Sequence, residues 1–299
     1  MASRLPSEAL DLAMTRISPP PIPRSSESEP ASAAIGITTF NRPAFAEKCA
    51  KSVTRHLPGT VEAIYLYNDG SDPKHHGAYE RVYKPLRTIG ASIMDCPENR
   101  GVAYAKNRLL EMMLEETDAE WLFLIEDDMK IEHPRAITRY IRAAQRAGLH
   151  HLSFAHHGPA NAAGPVFQSG DIEFYEHSIG AFTMFSRESL LKVGLFDENL
   201  HNAWEHVEHE LRLIRAGFIP GSGAHRFPDV TGSRLWISEQ PGSIEKSSIR
   251  PRPDWSANIR DGLVYWRDAK PETYEMMFGP GTRLEQYALR MTIGAVHGA

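Results

Sequence analysis

"WLFLIEDDMKIEHP", residues 121–134, is the stretch on which the fold turns. A run of mostly apolar residues enters Glu126, Asp127 and Asp128 and stops. The run reads as a buried strand. Three acids at its end repel one another unless a cation neutralises them. Carboxylate oxygens suit Mg2+ or Mn2+, ions held by one or two carboxylates while substrate phosphates fill other positions. Side chains alternate along a strand, which sets Glu126 and Asp128 on one side and Asp127 on the other, free to anchor a loop or a ribose. The competing reading is a solvated acidic junction, so the surroundings must decide.

On the N-terminal side, "AIGITTF" (34–40), "VEAIYLYND" (61–69) and "ASIMDCPEN" (91–99) read as three more strands. They are separated by "PAFAEKCAKSVTRHL" (43–57), "YERVYKPLRTIG" (79–90) and "GVAYAKNRLLEMMLEET" (101–117), which have helical spacing. "PRAITRYIRAAQRAG" (134–148) is a further helix, opened by Pro134 and closed by Gly148. Such alternation predicts βαβ units and a parallel sheet. Ligands of such sheets bind beyond the carboxyl ends of the strands. Those ends hold Thr39 to Arg42, Asn68 to Ser71, Glu98 to Gly101 and the acidic triplet, so polar and charged residues collect at one edge. Placed there, the triplet reads as a site rather than a surface feature.

Beyond residue 150 the pattern changes. "LHHLSFAHHG" (149–158), "PVFQSGDIEFYEH" (165–177) and "SIGAFTMFS" (178–186) read as strands, partly antiparallel. "WEHVEHELRLIRAGF" (204–218) reads as a helix ended by Gly217. The four histidines of "HHLSFAHHG" lack ligand spacing for zinc, and His156 and His157 are expected in an acceptor cleft. After residue 228 the chain is expected to wrap the domain irregularly, pinned by Trp236, Trp255 and Trp266.

Bulk properties set outer limits. The 299 residues carry a formal charge of −5 and two cysteines, Cys49 and Cys96, with neither metal nor disulfide spacing. Nothing global suggests a nucleic-acid binder, and the tail from Arg226 to Lys270 holds eight basic and six acidic residues. No apolar run is long enough for a membrane span, and residues 1–34 lack the apolar core of a signal peptide. They are expected to form a mobile leader with "ALDLAMTRI" as a short helix, and a cytoplasmic location is expected.

At this point a resemblance becomes specific. "ITTFNRP", "YNDGS", "ENRGVAYAKNRLL", "LIEDDM", "GAFTMFSRESLLKVGLFDENL" and "WEHVEHELRLIRAGF" follow one another in the motif order of family 2 glycosyltransferases of the GT-A fold. The resemblance spans about residues 35–220. It implies an α/β fold with a GT-A (Rossmann-like) mixed, mainly parallel sheet flanked by helices. A leader (1–34), a glycosyltransferase domain (35–228, nucleotide-sugar half 35–130, acceptor half 131–228) and an irregular C-terminal extension (229–299) would follow. The implied reaction is metal-dependent, inverting transfer of a sugar from a nucleoside diphosphate sugar, UDP foremost, to the hydroxyl of a glycan or other acceptor. Thr39, Arg42, Asp69 and Asp127 would hold the nucleoside, Asn99 and Arg100 would lie near the nucleotide sugar, and Asn107 would support their loop. "LIEDDM" stands where the family has its Asp-x-Asp metal motif. Asp128 and Glu126 would bind Mn2+ or Mg2+, and His225, in "GAHRFPDVTGS", would supply a late metal ligand. The family's Glu-Asp pair is here Glu205-His206. That leaves His206, Glu205 or Glu208 as the base, with Glu210 one turn on to orient His206. A protein that binds nucleotide sugars without catalysis is the alternative. A nucleotidyltransferase is disfavoured, because "TTFNRPAF" lacks a Gly-rich triphosphate loop.

Overall fold

A computed structural model describes residues 32–219, 227–280, 282, 284 and 285. Residues 1–31 of the expected leader, with its expected helix, and His225 lie outside the described residues; Ala33 and Ala34, expected in the leader, open the first strand instead.

Strands β1 (Ala33–Thr39), β2 (Ala63–Asn68), β3 (Ser92–Asp95) and β4 (Trp121–Glu126) alternate with helices α1 (Pro43–His56), α2 (His76–Thr88) and α3 (Val102–Glu116). Each β-branched or aliphatic run becomes a strand because helices cover both faces, as a parallel sheet requires. Every residue of β1 is buried. A short strand β5 (Met129–Ile131) and helix α4 (Ala136–Ala147) follow, and Gly148 ends α4 in the left-handed conformation. Beyond them come β6 (His151–Ser153), the hairpin β7 (Phe167–Ser169) and β8 (Ile172–Tyr175), β9 (Phe182–Ser186), α5 (Arg187–Val193) and α6 (Glu205–Arg215).

The six-stranded sheet has the order β3-β2-β1-β4-β9-β6. β1 pairs in parallel with β2 and β4, β2 pairs in parallel with β3, and β9 runs antiparallel to β4 and β6. The register fixes the site. Thr39 stands beside Asn68 and Thr38 beside Glu126, so three strands end at one level.

The C-terminal segment is more regular than expected. β10 (Phe227–Val230) pairs with β8, and β11 (Ile237–Glu239) pairs with β5. Residues 240–254 are largely irregular, but helices α7 (Trp255–Ala269) and α8 (Pro271–Phe278) follow. They build a second core with α6 from Leu200, Val207, Leu211, Leu263, Trp266 and Phe278. Trp266 is fully buried and donates from Nε1 to Thr273 Oγ1 at 2.8 Å. Replacing Trp266 by alanine is expected to cost about 3–5 kcal/mol, because a large cavity opens under α6. Urea unfolding measures this, and a loss below about 1 kcal/mol would show that the second core does not hold α6.

Candidate functional site

The chain turns at residues 127 and 128, so strand alternation stops at Glu126. This corrects the expectation that Asp127 points away from Asp128, because both carboxylates meet one guanidinium. Arg42 donates from Nη1 to Asp128 Oδ2 at 3.0 Å and from Nη2 to Asp127 Oδ1. Thr39 Oγ1 donates to the other Asp127 oxygen at 2.7 Å. Burial is the largest influence on Asp127. Together with the neighbouring Asp128 charge, it pushes the carboxyl up to about 7 against the pull of Arg42. Burial also opposes the charge on Asp128, but the His157 hydrogen bond and Arg42 outweigh it and hold that carboxyl below its usual range. His157 Nε2 lies 3.3 Å from Asp128 Oδ2. Asp128 Oδ1 is buried without a hydrogen-bond partner among the described residues.

Glu126 faces a different partner. Its Oε1 is 2.8 Å from Nζ of Lys106, a lysine only 1 % exposed. Lys106 also donates to the Gly180 carbonyl at 3.0 Å and to Glu205 Oε1 at 3.4 Å. Burial works against this charge, but the two glutamates keep the lysine above its ordinary value. Lys106 therefore ties the end of β4 to the start of α6. Lys106 bears no mark in the sequence, where Asn107 beside it is the residue expected to support the 99–101 loop. Asn107 in fact serves the far side of α3, exchanging hydrogen bonds with the backbone of Phe196, and does not reach the 99–101 loop.

Glu205 and His206 open α6. His206 Nδ1 is 3.2 Å from Glu205 Oε1, and no hydrogen bond engages Nε2 among the described residues. Burial opposes the Glu205 charge, yet His206 and Lys106 bring its carboxyl down to about 2. Burial also opposes protonation of His206, but the Glu205 charge raises it above the usual 6.5. Trp204, just before this pair, has φ 72, and Asn202 has φ 58. Positive φ is costly for a bulky side chain and persists only where packing imposes it. Here the indole of Trp204 donates to the Ile259 carbonyl at 3.0 Å and packs edge-on against Phe278. Helices α7 and α8 thus hold the strained turn that presents His206. Gly180 lies under the imidazole, where an added Cβ would come 2.9 Å from His206 Cγ.

Other expected residues divide. Asp69 accepts from the backbone N–H groups of Arg100 and Gly101, both at 2.9 Å, and from Asn99 Nδ2 at 2.7 Å. It therefore fastens the 99–101 loop to the end of β2. Gly70 permits that crossing. Its φ is +68, and a Cβ there would sit 2.1 Å from the Glu98 carbonyl carbon. Arg100 is exposed with its guanidinium stacked 4.2 Å over Tyr104, outside the pockets lined by the site residues. Glu208 is a correction. It is fully buried, with both oxygens taken by Arg212 Nε at 2.9 and 3.0 Å and Lys270 at 3.2 Å, so it cannot act in the cleft. Glu210 pairs with His151 at 3.0 Å rather than orienting His206. Of the adjacent histidines, His157 reaches the site, while His156 bonds Tyr175 and Arg234.

Two connected spaces result. A pocket of about 50 Å3 is lined by Thr39, Arg42, Asp69, Asn99 and Asp127, with Ser248 and Ile249 from the C-terminal segment. A cavity of about 520 Å3 is lined by Asp128, Glu126, His157 and the Glu205–His206 pair. Four carboxylates (Glu126, Asp127, Asp128, Glu205) thus share two permanent cations, Arg42 and Lys106. The open Asp128 oxygen and the excess of acid fit a divalent cation. Among the described residues no group of three or more His, Cys, Asp or Glu is placed to hold a metal ion, so of these residues Asp128 and Glu126 alone would have to supply the protein ligands there. No helix among them is long and apolar enough to cross a membrane.

Comparison with known proteins agrees with the fold. Residues 34–159 match the model of glycosyl transferase family 2. No curated protein matches the sequence at a significant level. Among solved structures, a mannosyltransferase from Pyrobaculum calidifontis in complex with GDP-Man and Mn2+ superposes with a TM-score of 0.56 at 12% identity, over 92% of this chain and 80% of its own. GalNAc-T7, solved with UDP, GalNAc and Mn2+, gives 0.55 at 12% identity over 88% of this chain and 54% of its own. Residues 1–349 of Staphylococcus aureus TarS give 0.52 at 11% identity over 89% and 75%.

Proposed function

We propose, from the premise that this chain is a family 2-like glycosyltransferase of the GT-A fold, that it transfers a sugar with inversion, His206 acting as the base. The observation that carries the reading is that Asp128 and the Glu205–His206 pair line one cavity.

A divalent cation, bound at Asp128 with Glu126 as the second candidate, would supply Lewis-acid neutralisation of the leaving diphosphate. His225 is the third candidate ligand and lies outside the described residues. The remaining chemistry belongs to the chain. Thr39, Arg42, Asp69, Asn99 and Asp127 line the nucleoside side. Entry of a donor requires this pocket to open, because ligand sites are usually about 300 Å3 or more. Ser248 and Ile249 of the C-terminal segment line it and are the residues that would move. His206 Nε2 accepts the proton of the acceptor hydroxyl as its oxygen bonds to the anomeric carbon. The bond from that carbon to the diphosphate oxygen breaks, and the electron pair leaves with the diphosphate. Glu205 holds the imidazole through Nδ1 and stabilises the imidazolium. Inversion is favoured because Glu126 and Glu205 are both tied to Lys106, which discourages either from forming a glycosyl ester.

The donor is proposed to be a UDP-sugar, UDP being the nucleotide solved with GalNAc-T7. GDP-Man, solved with the mannosyltransferase, is the competitor. Incubation with a nucleotide-sugar panel and Mn2+, followed by proton NMR of the released sugar or product, tests both donor and stereochemistry. A product with the donor's own anomeric configuration would overturn the single-displacement mechanism.

The pH profile supplies an independent check. His206 must be neutral to accept a proton, and its pKa is raised above 6.5. The acid limb of kcat/KM is therefore expected above about pH 6.5. Glu205→Gln removes the charge that favours the imidazolium and should move the limb to lower pH. A limb that stays in place would assign the proton transfer to another group.

A further inference from the structure

We infer that the acceptor is a small molecule whose hydroxyl is carried on an apolar, ring-bearing body, rather than a saccharide. The inference rests on His206 being the base, and it concerns the apolar residues that line the cavity with it.

The lining of the 520 Å3 cavity is mixed. His206, Asp128, His157 and Arg42 bring the chemistry. The C-terminal segment adds Ile244, Ile249, Trp255, Ile259, Met277 and Phe278. All six lie beyond the family-matched residues 34–159, so this part of the lining belongs to the chain's own C-terminal segment. Isoleucine and methionine offer no hydrogen-bond partners, and a polyol packed on them would leave several hydroxyls dry and unpaired. An aromatic or alicyclic body loses nothing by that contact and gains from leaving water. Ser243, Ser247, Ser248 and Arg250 from the same segment, with Ser178 and Asn202, line the cavity too and can meet a few polar substituents. The volume lies within the usual range for small-ligand pockets, about 300–1,000 Å3. The acceptor's single reacting hydroxyl would then point toward His206.

Saturation-transfer NMR on the full chain tests this with benzyl alcohol and maltose as probes. The inference expects saturation of benzyl alcohol and none of maltose. Trp255→Ala and Ile244→Ser, two separate changes in the apolar lining, should each cut the benzyl alcohol signal at least several-fold with unchanged melting midpoints. Saturation of maltose in place of benzyl alcohol, absence of benzyl alcohol saturation, or signals indifferent to both substitutions would overturn it. The same samples are titrated with UDP and Mn2+ by thermal shift. A nucleotide shift alongside failed benzyl alcohol binding rejects the acceptor class while leaving the transferase reading intact. Benzyl alcohol binding with no nucleotide shift keeps the apolar lining as a binding surface but removes the transferase reading, and with it the acceptor role.

Discussion

Replacing His206 by alanine is expected to lower kcat by about 10²- to 10⁴-fold, the usual contribution of a general base, while leaving nucleotide affinity nearly unchanged. The imidazole lines the acceptor cavity, but not the pocket that contains Thr39 and Asp69. Its loss therefore removes an interaction needed only as the acceptor hydroxyl gives up its proton, and such losses fall on kcat. Nucleoside diphosphate release, measured beside a nucleotide thermal shift, separates the two quantities. Equal rates in the variant and the parent would place the base elsewhere. Weakened nucleotide binding would mean that the side chain supports the donor pocket instead.

Replacing Lys106 by methionine is expected to destabilise the fold by about 3–5 kcal/mol. A total stability of about 5–15 kcal/mol is usual for a domain, so this is a large fraction. The size follows from what remains. Glu205 is 3 % exposed and draws its low pKa from His206 and Lys106, and Glu126 would lose its 2.8 Å partner. Glu205 would be left buried with only His206 beside it, and Glu126, a quarter exposed, would be left without its cation. Urea unfolding at pH 7 reads the loss directly. Lys106→Met combined with Glu205→Gln should recover part of it, because one of the stranded charges is then gone. A single-variant loss under about 1 kcal/mol would mean that water reaches the bridge and that Lys106 is not the tie between β4 and α6.

The contrast between these two residues shows where sequence reading succeeds. The position of Thr39, Asp69, Asp128 and His206 around the cleft is legible, because each sits at a chemically marked boundary. Three close β-branched or aliphatic strand runs, and one opens a polar helix. The parallel register then brings the strand ends together with no further information needed. Lys106 carries no such mark. On one helix it reads as a solvated residue, and its partners lie 20 and 99 positions away in the chain. Glu208 failed for the same reason in reverse. Its first-turn position suited a base, but Arg212 and Lys270 take its oxygens. The strained Trp204 could not be read either, because positive φ at a tryptophan arises from packing against Phe278 and the Ile259 carbonyl. Those contacts come from α7 and α8, where Gly262 and the surrounding prolines obscured the helical pattern. The alternation rule misplaced Asp127 because the chain leaves the strand at Glu126, two residues before the last of the acids.

The central claim is that the acidic strand end binds a nucleotide through a divalent cation. The most direct measurement is a thermal-shift titration with UDP and GDP, each with Mn2+ and with EDTA, on the parent protein and on Asp128→Ala. Binding to the native state raises the midpoint by mass action. A rise with at least one nucleotide is expected, present with Mn2+, absent with EDTA and absent in Asp128→Ala. A nucleotide-induced rise that survives both EDTA and the substitution would contradict a metal-bridged donor site at Asp128.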